Sequence, residues 1–354
     1  MIFKKIKINK VILKNKITVS PMCQYSAIDG CPSDWHYKHL GKLNLSGAGL
    51  LMMESTAINN EGKITHSDLC LKNSKQEKSF KKLFNYLKKL NDTPIGIQLS
   101  HAGRKGSSFI PWIKSNTPLD KKNNLWQTFA PSALKKDKNW PIPKELNAKK
   151  MELIINDFKN TVRKAKNIGF DCIEIHMAHG YLLHQFLSPI SNLRIDEYGG
   201  NLKNRFRFPL KIAKEVRKIW PKNKILGARI TGTDHLKKGI SINESILFVR
   251  ELKKIGFDYV CVSSGGILTK TNLKFKKGFR VNLCKKIKKK TSIITRTSGL
   301  IKDIKYANKI IEKGSADLLA IGRSFINDPM LIYKGAKQMK IKNIIEPQYN
   351  RMFD

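Results

Sequence analysis

Eight short apolar runs recur along the chain, and a segment with the periodicity of an amphipathic helix follows each of them. Runs that are apolar on both faces are typical of parallel strands, because helices cover both sides of a parallel sheet. Eight strand–helix units is the number that closes a (β/α)8 barrel, the TIM-barrel fold of the α/β class. The predicted strands are residues 17–22, 49–56, 95–100, 172–178, 225–231, 259–265, 292–298 and 318–324.

An open, doubly wound sheet is the alternative arrangement of the same elements. The G-x-G-x-x-G turn that follows the first strand of many such sheets does not follow residues 17–22. Residues 101–147, rich in Pro, Trp and Asn, interrupt the third strand–helix unit and are predicted to form a lid over the C-terminal face of the barrel. With an N-terminal β-hairpin before the first strand and no linker, residues 1–354 are predicted to form a single domain.

The formal net charge of +41 suggests a nucleic-acid-binding protein. The lysines, however, are spread over nearly every predicted helix. Arginine, which reads phosphates and bases better than lysine, supplies only 12 of the 68 basic residues. Replacement of Arg by Lys on solvated faces explains this composition better than a specific nucleic-acid partner does. A polyanion-binding protein is kept as the non-enzymatic alternative.

Cysteine use and the N-terminal sequence bear on the compartment. The six cysteines show no C-x-x-C or zinc-finger spacing, so no disulfide framework is predicted. No apolar stretch is long enough to span a bilayer, and the Lys-rich N-terminus lacks the apolar core of a signal peptide. We therefore expect a cytoplasmic protein without a membrane anchor.

Polar residues concentrate at the C-terminal ends of the predicted strands. In a (β/α)8 barrel these ends meet at one face, where the active site lies. Side chains from many strands are therefore expected to converge on one site. They are Cys23 and Tyr25 after the first strand, Gln98 on the third, His176, His179 and Tyr181 at the fourth, Arg229 on the fifth, Ser298 and Gly299 at the seventh, and Gly322 and Arg323 at the eighth.

The last two strand ends, TSGLI (297–301) and IGRSF (321–325), are small-residue turns that enter helices. Backbone N–H groups at such turns bind phosphate, and Arg323 is suited to clamp the same group. The loops after strands seven and eight are also the usual phosphate site of barrel enzymes. Two ordinary turns would have the same sequence, so both interpretations stay open.

Arg229 lies within a strand that is predicted to be buried. A buried guanidinium needs an anionic or electron-rich partner. Either a structural carboxylate or the N1–C2=O edge of a flavin, which becomes anionic on reduction, meets this need. Gln98 offers an amide donor and an acceptor, which suit the polar edge of such a ring.

His176 and His179 are three residues apart just beyond the fourth strand, so both rings can face the barrel mouth. Zinc is one candidate ligand, with Glu174 as a further ligand, and this arrangement predicts a metal-dependent hydrolase. Alternatively, two neutral imidazoles donate N–H groups to one substrate oxygen, as an oxyanion hole does. Tyr181 would then be a general acid, since a phenol with a pKa near 10 carries a proton at neutral pH.

Four long motifs occur in the chain: SPMCQYS (20–26), GIQLSHAGRKG (96–106), EIHMAHGYLLHQFLSPISNLRIDEYGGNLKNRFRF (174–208) and IGRSFINDP (321–329). Together they resemble the old yellow enzyme family of FMN-dependent ene-reductases, or NADH:flavin oxidoreductases. The cysteine of the first motif and the sequence DWHYKH (34–39) resemble the bacterial branch of NADPH dehydrogenases and xenobiotic reductases. The resemblance runs in one order from about residue 3 to the last residues.

The resemblance implies a non-covalently bound FMN at the barrel mouth. Cys23 would lie near the flavin ring and tune its potential, although a buried thiol that serves only in packing is the alternative. Arg229 matches the arginine beside N1 of the ring, and the turns after the last two strands match the phosphate site. The implied FMN contacts are Ser20, Pro21, Met22, Cys23, Ala57, Gln98, Arg229, Ser298, Gly299, Gly322 and Arg323.

The reaction that the resemblance implies is a ping-pong pair of hydride transfers. NADPH, with NADH as the alternative donor, leaves a hydride on flavin N5, and an α,β-unsaturated aldehyde or ketone then takes it at its β-carbon. His176 and His179 match the pair that binds the carbonyl oxygen, Tyr181 matches the proton donor, and Tyr25 matches a phenol that contacts the substrate. Nitroesters and nitroaromatics are further implied substrates.

The C-terminal sequence EPQYNRMFD also resembles one branch of the family. In that branch an arginine near the chain end reaches the active site of a neighbouring subunit, and Arg351 would be that residue in a homo-oligomer, dimer or tetramer. A frayed polar terminus is the alternative. Thr297 stands where another branch carries a tryptophan, so a substrate pocket of different shape is expected.

Overall fold

A computed structural model describes residues 1–341, 344 and 346–353 of the chain. It contains the predicted N-terminal hairpin and the eight predicted strands, together with two short strands in the long excursion. In chain order they are β1 (Ile6–Ile8), β2 (Val11–Leu13), β3 (Ile17–Val19), β4 (Leu50–Ala57), β5 (Ile95–Ser100), β6 (Phe129–Ala130), β7 (Lys144–Glu145), β8 (Cys172–Met177), β9 (Ile225–Thr231), β10 (Tyr259–Ser263), β11 (Ile294–Thr297) and β12 (Leu318–Ile321).

The barrel is built from β3, β4, β5 and β8 to β12, which pair in sequence order until β12 pairs with β3 and closes the ring. All neighbouring pairs are parallel. Nearly every residue of these strands is buried, because helices cover the outside and side chains fill the inside. The predicted (β/α)8 fold is therefore confirmed.

The helices begin where the sequence provides a capping side chain. Asn73, Asn147, Asn201, Ser241 and Asp303 each accept the backbone N–H three residues later, which satisfies a donor at the start of a helix. Within the described residues, no helix combines the length and the apolarity that crossing a bilayer requires. The helices are α1 (Asp34–Asn44), α2 (Ser74–Leu90), α3 (Ala148–Ile168), α4 (Leu182–Leu187), α5 (Leu202–Ile219), α6 (Ile242–Ile255), α7 (Val281–Thr291), α8 (Ile304–Glu312), α9 (Arg323–Asn327) and α10 (Leu331–Gln338).

The hairpin of β1 and β2 closes the N-terminal end of the barrel. Ile8 and Leu13 are buried and pack in one cluster with residues at the starts of the barrel strands, such as Leu50 and Leu318. Tyr259 belongs to the same cluster and fills the interior above them. Because this end is filled with apolar side chains, the opposite end, where the strands finish, is the open mouth.

The excursion of residues 101–147 is held by hydrogen bonds from a buried arginine. Arg104 donates through Nη1 to the carbonyl oxygens of Leu134 and Lys135, both at 3.3 Å. Its Nη2 donates to the carbonyl oxygen of Ile267 at 3.2 Å, in the loop that follows β10. The excursion is therefore tied to a loop at the C-terminal face, the face over which a lid was predicted.

Close packing inside the barrel makes Gly227 on β9 sensitive to substitution. A Cβ at this position would overlap the ring of Tyr259, which is fully buried and cannot swing away. We expect Gly227→Ala to lower the free energy of unfolding by about 1–3 kcal/mol, as overpacking does. Gly41→Ala in α1 is the control: the nearest atom would be 3.3 Å away, and alanine favours a helix by about 0.5–1 kcal/mol. Chemical unfolding of both variants measures the difference, and equal stabilities would contradict this account of the interior.

Candidate active site

The loop after β3 presents Cys23 and Tyr25 at the mouth of the barrel. Glu54, a buried carboxylate on β4, fixes this loop, because its Oε2 accepts the backbone N–H of Gln24 at 2.6 Å. The other carboxylate oxygen lies 3.0 Å from Nε2 of His36, which is also buried. The motif DWHYKH (34–39) contains His36 but does not predict this role, which is to hold the loop of Cys23 in place.

Cys23 and Tyr25 both retain their protons at neutral pH. Burial, and next the negative charge of Glu54, raises the pKa of the Cys23 thiol well above its ordinary value. Burial also raises the pKa of Tyr25, and the neighbouring Cys23 and Tyr181 raise it further. The Tyr25 ring packs edge-on against Trp112 of the excursion, with 5.9 Å between the ring centroids. The loop therefore offers a neutral thiol and a neutral phenol.

Asp68 is a buried carboxyl group near the same site that the sequence analysis missed. Burial raises its pKa to about 7, although it accepts hydrogen bonds from the backbone N–H of Ile64 and from the Thr65 side chain. The charge of Asp68 adds to the effect of burial in raising the pKa of Tyr181. The local sequence THSD (65–68) carries no signal for this site, because the burial of Asp68 depends on how the loop after β4 folds.

His176 and His179 lie side by side at the end of β8, with Nε2 of His176 3.3 Å from Nδ1 of His179. The backbone N–H of Ala178 donates to Nδ1 of His176 at 3.2 Å. A neutral His176 therefore carries its proton on Nε2 and donates it to His179. Nε2 of His179 is hydrogen-bonded to the hydroxyl of Ser263. The two rings can both donate to one oxygen only when His179 carries its proton on Nδ1.

Both imidazoles are neutral at neutral pH. Burial lowers the pKa of each well below the ordinary value, and the charge of Arg229 lowers it further. Glu174, the further zinc ligand considered above, instead forms a salt bridge with Arg296 inside the barrel. Across the residues that the structure describes, no three His, Cys, Asp or Glu side chains are grouped so that they could hold a metal. The geometry favours a neutral donor pair over a zinc site.

Tyr181 directly precedes α4 and packs edge-on against His176, with 4.6 Å between the ring centroids. Burial raises the pKa of its phenol well above the ordinary value, so Tyr181 is protonated at neutral pH. Lys105 Nζ lies 5.0 Å from the centre of the Tyr181 ring and donates to the carbonyl oxygen of His179 at 2.7 Å. Burial, followed by the charge of Lys136, lowers the pKa of Lys105 to about 7. Lys105, which motif reasoning missed, ties the loop of residues 179–181 to the excursion.

A second part of the mouth is a cavity of about 440 Å³ beside the ends of β9, β11 and β12. Four of its lining side chains are cationic, and none of the described residues that line it is a carboxylate. Arg280, just before α7, is one of these cations; burial, then Arg229, lowers its pKa to about 10. It was missed because the sequence KKGFR (276–280) carries no motif. The lining residues are Ser20, Pro21, Met22, Arg229, Phe275, Phe279, Arg280, Ser298, Gly299, Leu300, Ile301, Lys302, Ala320, Ile321, Gly322, Arg323 and Ser324.

The predicted phosphate residues meet in this cavity, and two glycines let the backbone approach it. Gly299 has a φ of 121°, and a Cβ there would lie 3.0 Å from an aromatic ring carbon. A Cβ on Gly322 would lie 3.1 Å from a methionine sulfur. Ser298 is buried beside them, and Arg323 is exposed at the rim. The two turns therefore form one cradle rather than two separate surface loops.

Arg229 projects from β9 into the same cavity, with only 9% of its surface exposed. Its Nε has no hydrogen-bond partner. Among the described residues, no carboxylate forms an ion pair with it, so the structural-carboxylate interpretation is wrong. A buried guanidinium without a partner is costly, and an anionic ligand in the cavity would remove that cost.

Gln98 and Ala57, the remaining predicted contacts, are buried on neighbouring strands. Nε2 of Gln98 donates to Glu174 at 2.7 Å, which turns the amide oxygen away from that carboxylate. The backbone N–H of Ala57 donates to Leu69, and its carbonyl accepts from Leu71. Both backbone polar groups of Ala57 are therefore paired within the protein, which leaves only its methyl group for a ligand contact.

Arg351 lies in the short 3-10 helix Pro347–Phe353 and is exposed. It is not among the residues that line the cavity of its own chain. Its predicted contact with a neighbouring subunit stays a prediction.

The fold and the site together define a class of protein. A (β/α)8 barrel whose mouth joins an arginine-lined anion cradle to a neutral donor pair and a phenol is suited to hold a phosphorylated cofactor beside a substrate oxygen. The family model described as NADH:flavin oxidoreductase / NADH oxidase matches residues 1–342. The chain belongs to this family, that of the old yellow enzymes: it is an oxidoreductase and a flavoprotein that uses FMN and NAD(P)H.

Comparisons with individual proteins agree with this assignment. The NADPH dehydrogenase of Bacillus subtilis (strain 168) is 36% identical over 352 residues, which cover 99% of this chain and 98% of that protein. Morphinone reductase shares the fold with a TM-score of 0.79 at 23% identity, over 98% of this chain and 91% of its own. The old yellow enzyme homologue from Zymomonas mobilis has a TM-score of 0.79 at 20% identity, over 100% and 99% of the two chains.

The lowered pKa values of His176 and His179 predict that neither ring gains a proton as the pH falls from 8 to 5.5. A histidine with the ordinary pKa near 6.5 would be mostly protonated at the lower end of this range. Nitrogen NMR of the protein with 15N-labelled histidine measures this, with His176→Gln and His179→Gln used to assign the signals. A midpoint near pH 6.5 for either ring would contradict the prediction.

Proposed function

We propose that this flavoprotein is an ene-reductase that reduces the C=C bond of α,β-unsaturated aldehydes and ketones. The observation that carries the proposal is the neutral pair of His176 and His179 beside Tyr181, at the same mouth as the unpaired Arg229. The Bacillus subtilis relative is an NADPH dehydrogenase, which supports NADPH as the hydride donor, with NADH as the alternative. Nitroesters and nitroaromatics are further candidate substrates, because a nitro oxygen accepts hydrogen bonds as a carbonyl oxygen does.

FMN fits the cavity by charge. Four cationic side chains without a carboxylate favour its phosphate, and the ring edge that becomes anionic on reduction supplies the partner that Arg229 lacks. When bound, FMN would supply the hydride-transfer chemistry between the nicotinamide and the β-carbon of the alkene. The residues proposed to hold it that line the cavity are Ser20, Pro21, Met22, Arg229, Ser298, Gly299, Gly322 and Arg323, to which we add Arg280. Cys23, Ala57 and Gln98, which do not line this cavity, are proposed as further contacts of the ring.

The histidine pair binds the substrate oxygen and stabilises the negative charge that grows on it in the transition state. His176 already carries its proton on Nε2, because Ala178 occupies Nδ1. His179 reaches the matching state when the Ser263 hydroxyl donates to its Nε2, which leaves the proton on Nδ1. A hydroxyl can donate or accept, so Ser263 allows His179 to bond His176 without substrate and the substrate oxygen with it.

Tyr181 donates the proton to the α-carbon. Its raised pKa keeps the phenol protonated at neutral pH, and its ring lies against His176, beside the place where the oxygen is held. Tyr25, which is also neutral, is proposed to contact the substrate from the loop after β3. The reduction thus uses a proton that the protein holds close to the developing carbanion.

Arg351 is proposed to enter the active site of a neighbouring subunit in a homo-oligomer. Its exposure leaves the guanidinium available to such a neighbour. The cytoplasm is the proposed compartment, because all six cysteines are free and thiols persist in a reducing environment. No specific nucleic-acid or membrane partner is part of the proposal.

An anaerobic visible spectrum of the purified protein tests the proposed function. We expect a yellow protein that bleaches when NADPH is added and recovers its colour when 2-cyclohexenone follows. Bleaching without recovery would contradict the enone as acceptor while leaving the flavoprotein intact. A colourless protein that does not take up added FMN would overturn the whole proposal.

Replacing His176 tests the oxygen-binding role directly. His176→Ala is expected to slow the reaction of the reduced enzyme with the enone by roughly 2–4 kcal/mol of activation free energy, the loss of one oxyanion donor. Stopped-flow absorbance measures this step separately from reduction by NADPH. His66→Ala, a change at an exposed histidine on the surface, is the control and should leave both steps unchanged. An unchanged enone step in His176→Ala would rule out the assigned role.

A further inference from the structure

Glu174 is a fully buried carboxylate inside the barrel. It has no role in the proposed reaction. It lies on β8 two residues before His176, and its direct neighbour on β5 is Gln98. It accepts hydrogen bonds from Nε2 of Gln98 at 2.7 Å, from the Tyr259 hydroxyl at 2.9 Å and from Nη2 of Arg296. Three donors from three different strands therefore converge on one carboxylate beneath the active site.

The chemistry of these groups determines which way the Gln98 amide points. A carboxylate in a salt bridge only accepts hydrogen bonds, so the NH2 group of Gln98 must face Glu174. The orientation of a glutamine amide is otherwise ambiguous, because its oxygen and nitrogen are nearly equal in size. The amide oxygen consequently points away from Glu174, and no described residue donates to it.

Arg296 completes this arrangement. It is fully buried, as Glu174 is, and the two charges form a salt bridge. Arg296 can only donate, so the oxygen of Glu174 that it binds must be an acceptor. The salt bridge has a second effect, because a carboxylate already paired with Arg296 does not pair with Arg229. Arg229 lies on the neighbouring strand β9, two residues beyond Gly227, the partner of Glu174.

We propose that Glu174 and Arg296 are positioning residues that fix the Gln98 amide so that its oxygen, and not its nitrogen, faces the cofactor. The ligand group that such an oxygen selects is an imide N–H, and N3–H of the flavin ring is one. The inference rests on the proposed function, in which Gln98 borders the FMN ring. It adds that a salt bridge outside the cofactor site determines whether Gln98 accepts or donates there.

The substitution Glu174→Gln should reverse the amide. Tyr259 and Arg296 donate to this position, so they will bind the oxygen of the introduced amide. Its NH2 group then faces Gln98, which must turn its own oxygen inward to accept. The NH2 group of Gln98 would then face the N3–H of the ring, so that two donors oppose each other.

Affinity for two flavins measures this reversal. FMN is removed from the full-length protein, and FMN or 3-methyl-FMN, which lacks N3–H, is added back while quenching of flavin fluorescence is followed. The unmodified protein should prefer FMN by roughly tenfold, the effect of one buried hydrogen bond. In Glu174→Gln the preference should fall to about twofold or less, mostly through weaker binding of FMN. Both flavins experience the same change in protein charge, and the bulk of the N3-methyl group is the same in every variant, so the change of their ratio between variants measures the hydrogen bond.

Tyr259→Phe is the matched control. It removes one hydrogen bond from Glu174 but leaves the carboxylate, its salt bridge and its bond to Gln98 in place. The roughly tenfold preference for FMN should persist in this variant. A preference that survives in Glu174→Gln, or that is lost in Tyr259→Phe, would overturn the inference.

The experiment separates this inference from the proposed function. If the unmodified protein binds both flavins equally, FMN binding stands and the role of the Gln98 oxygen is overturned. If it binds neither, the proposed function fails. Should Glu174→Gln not fold, which thermal unfolding would reveal, the double variant Glu174→Gln/Arg296→Gln removes the unpaired charge. Tyr259 still directs the introduced oxygen there, so a retained preference for FMN in that variant would again overturn the inference.

Discussion

The interior of the barrel contains two arginines, and only one of them forms a salt bridge with a carboxylate. Arg296 is neutralised by Glu174, whereas Arg229 is left buried with an unpaired guanidinium. A protein tolerates such a charge when a ligand supplies the missing partner. Burial lowers the pKa of the neighbouring His176 and His179, and the same positive charge lowers it further. In the proposed function, cofactor binding and the chemistry of the donor pair would therefore both depend on this unpaired charge.

The sequence was sufficient to predict the barrel and the face that carries the site. Strands buried on both sides are continuous apolar runs, and their register then brings residues from distant motifs, such as Arg229 and Gly322, to one mouth. Their roles toward FMN stay predictions. The sequence could not supply the positions of Arg280, Lys105 or Asp68, because each lies between the strands and α-helices of the barrel, where the path of the chain depends on tertiary contacts.

The sequence also could not predict which group donates and which accepts in the hydrogen bonds of the site. The motif EIHMAH places two histidines together, but which nitrogen carries the proton depends on the Ala178 N–H and on Ser263, which comes from another strand. Gln98 was expected to offer both a donor and an acceptor. Its NH2 group is in fact bonded to Glu174, a residue that spacing alone had left open as a metal ligand. Such directions follow from neighbours across the barrel, which no local pattern encodes.

The hairpin of β1 and β2 has a consequence for how molecules reach the site. With Ile8 and Leu13 packed into the lower end of the barrel, the residues that the structure describes fill that end with apolar side chains. A cavity that is closed at one end admits and releases molecules through the same opening. Two reactants that bind at the same place in such a cavity cannot occupy it together. Each must leave before the next one binds, and an excess of either delays the other.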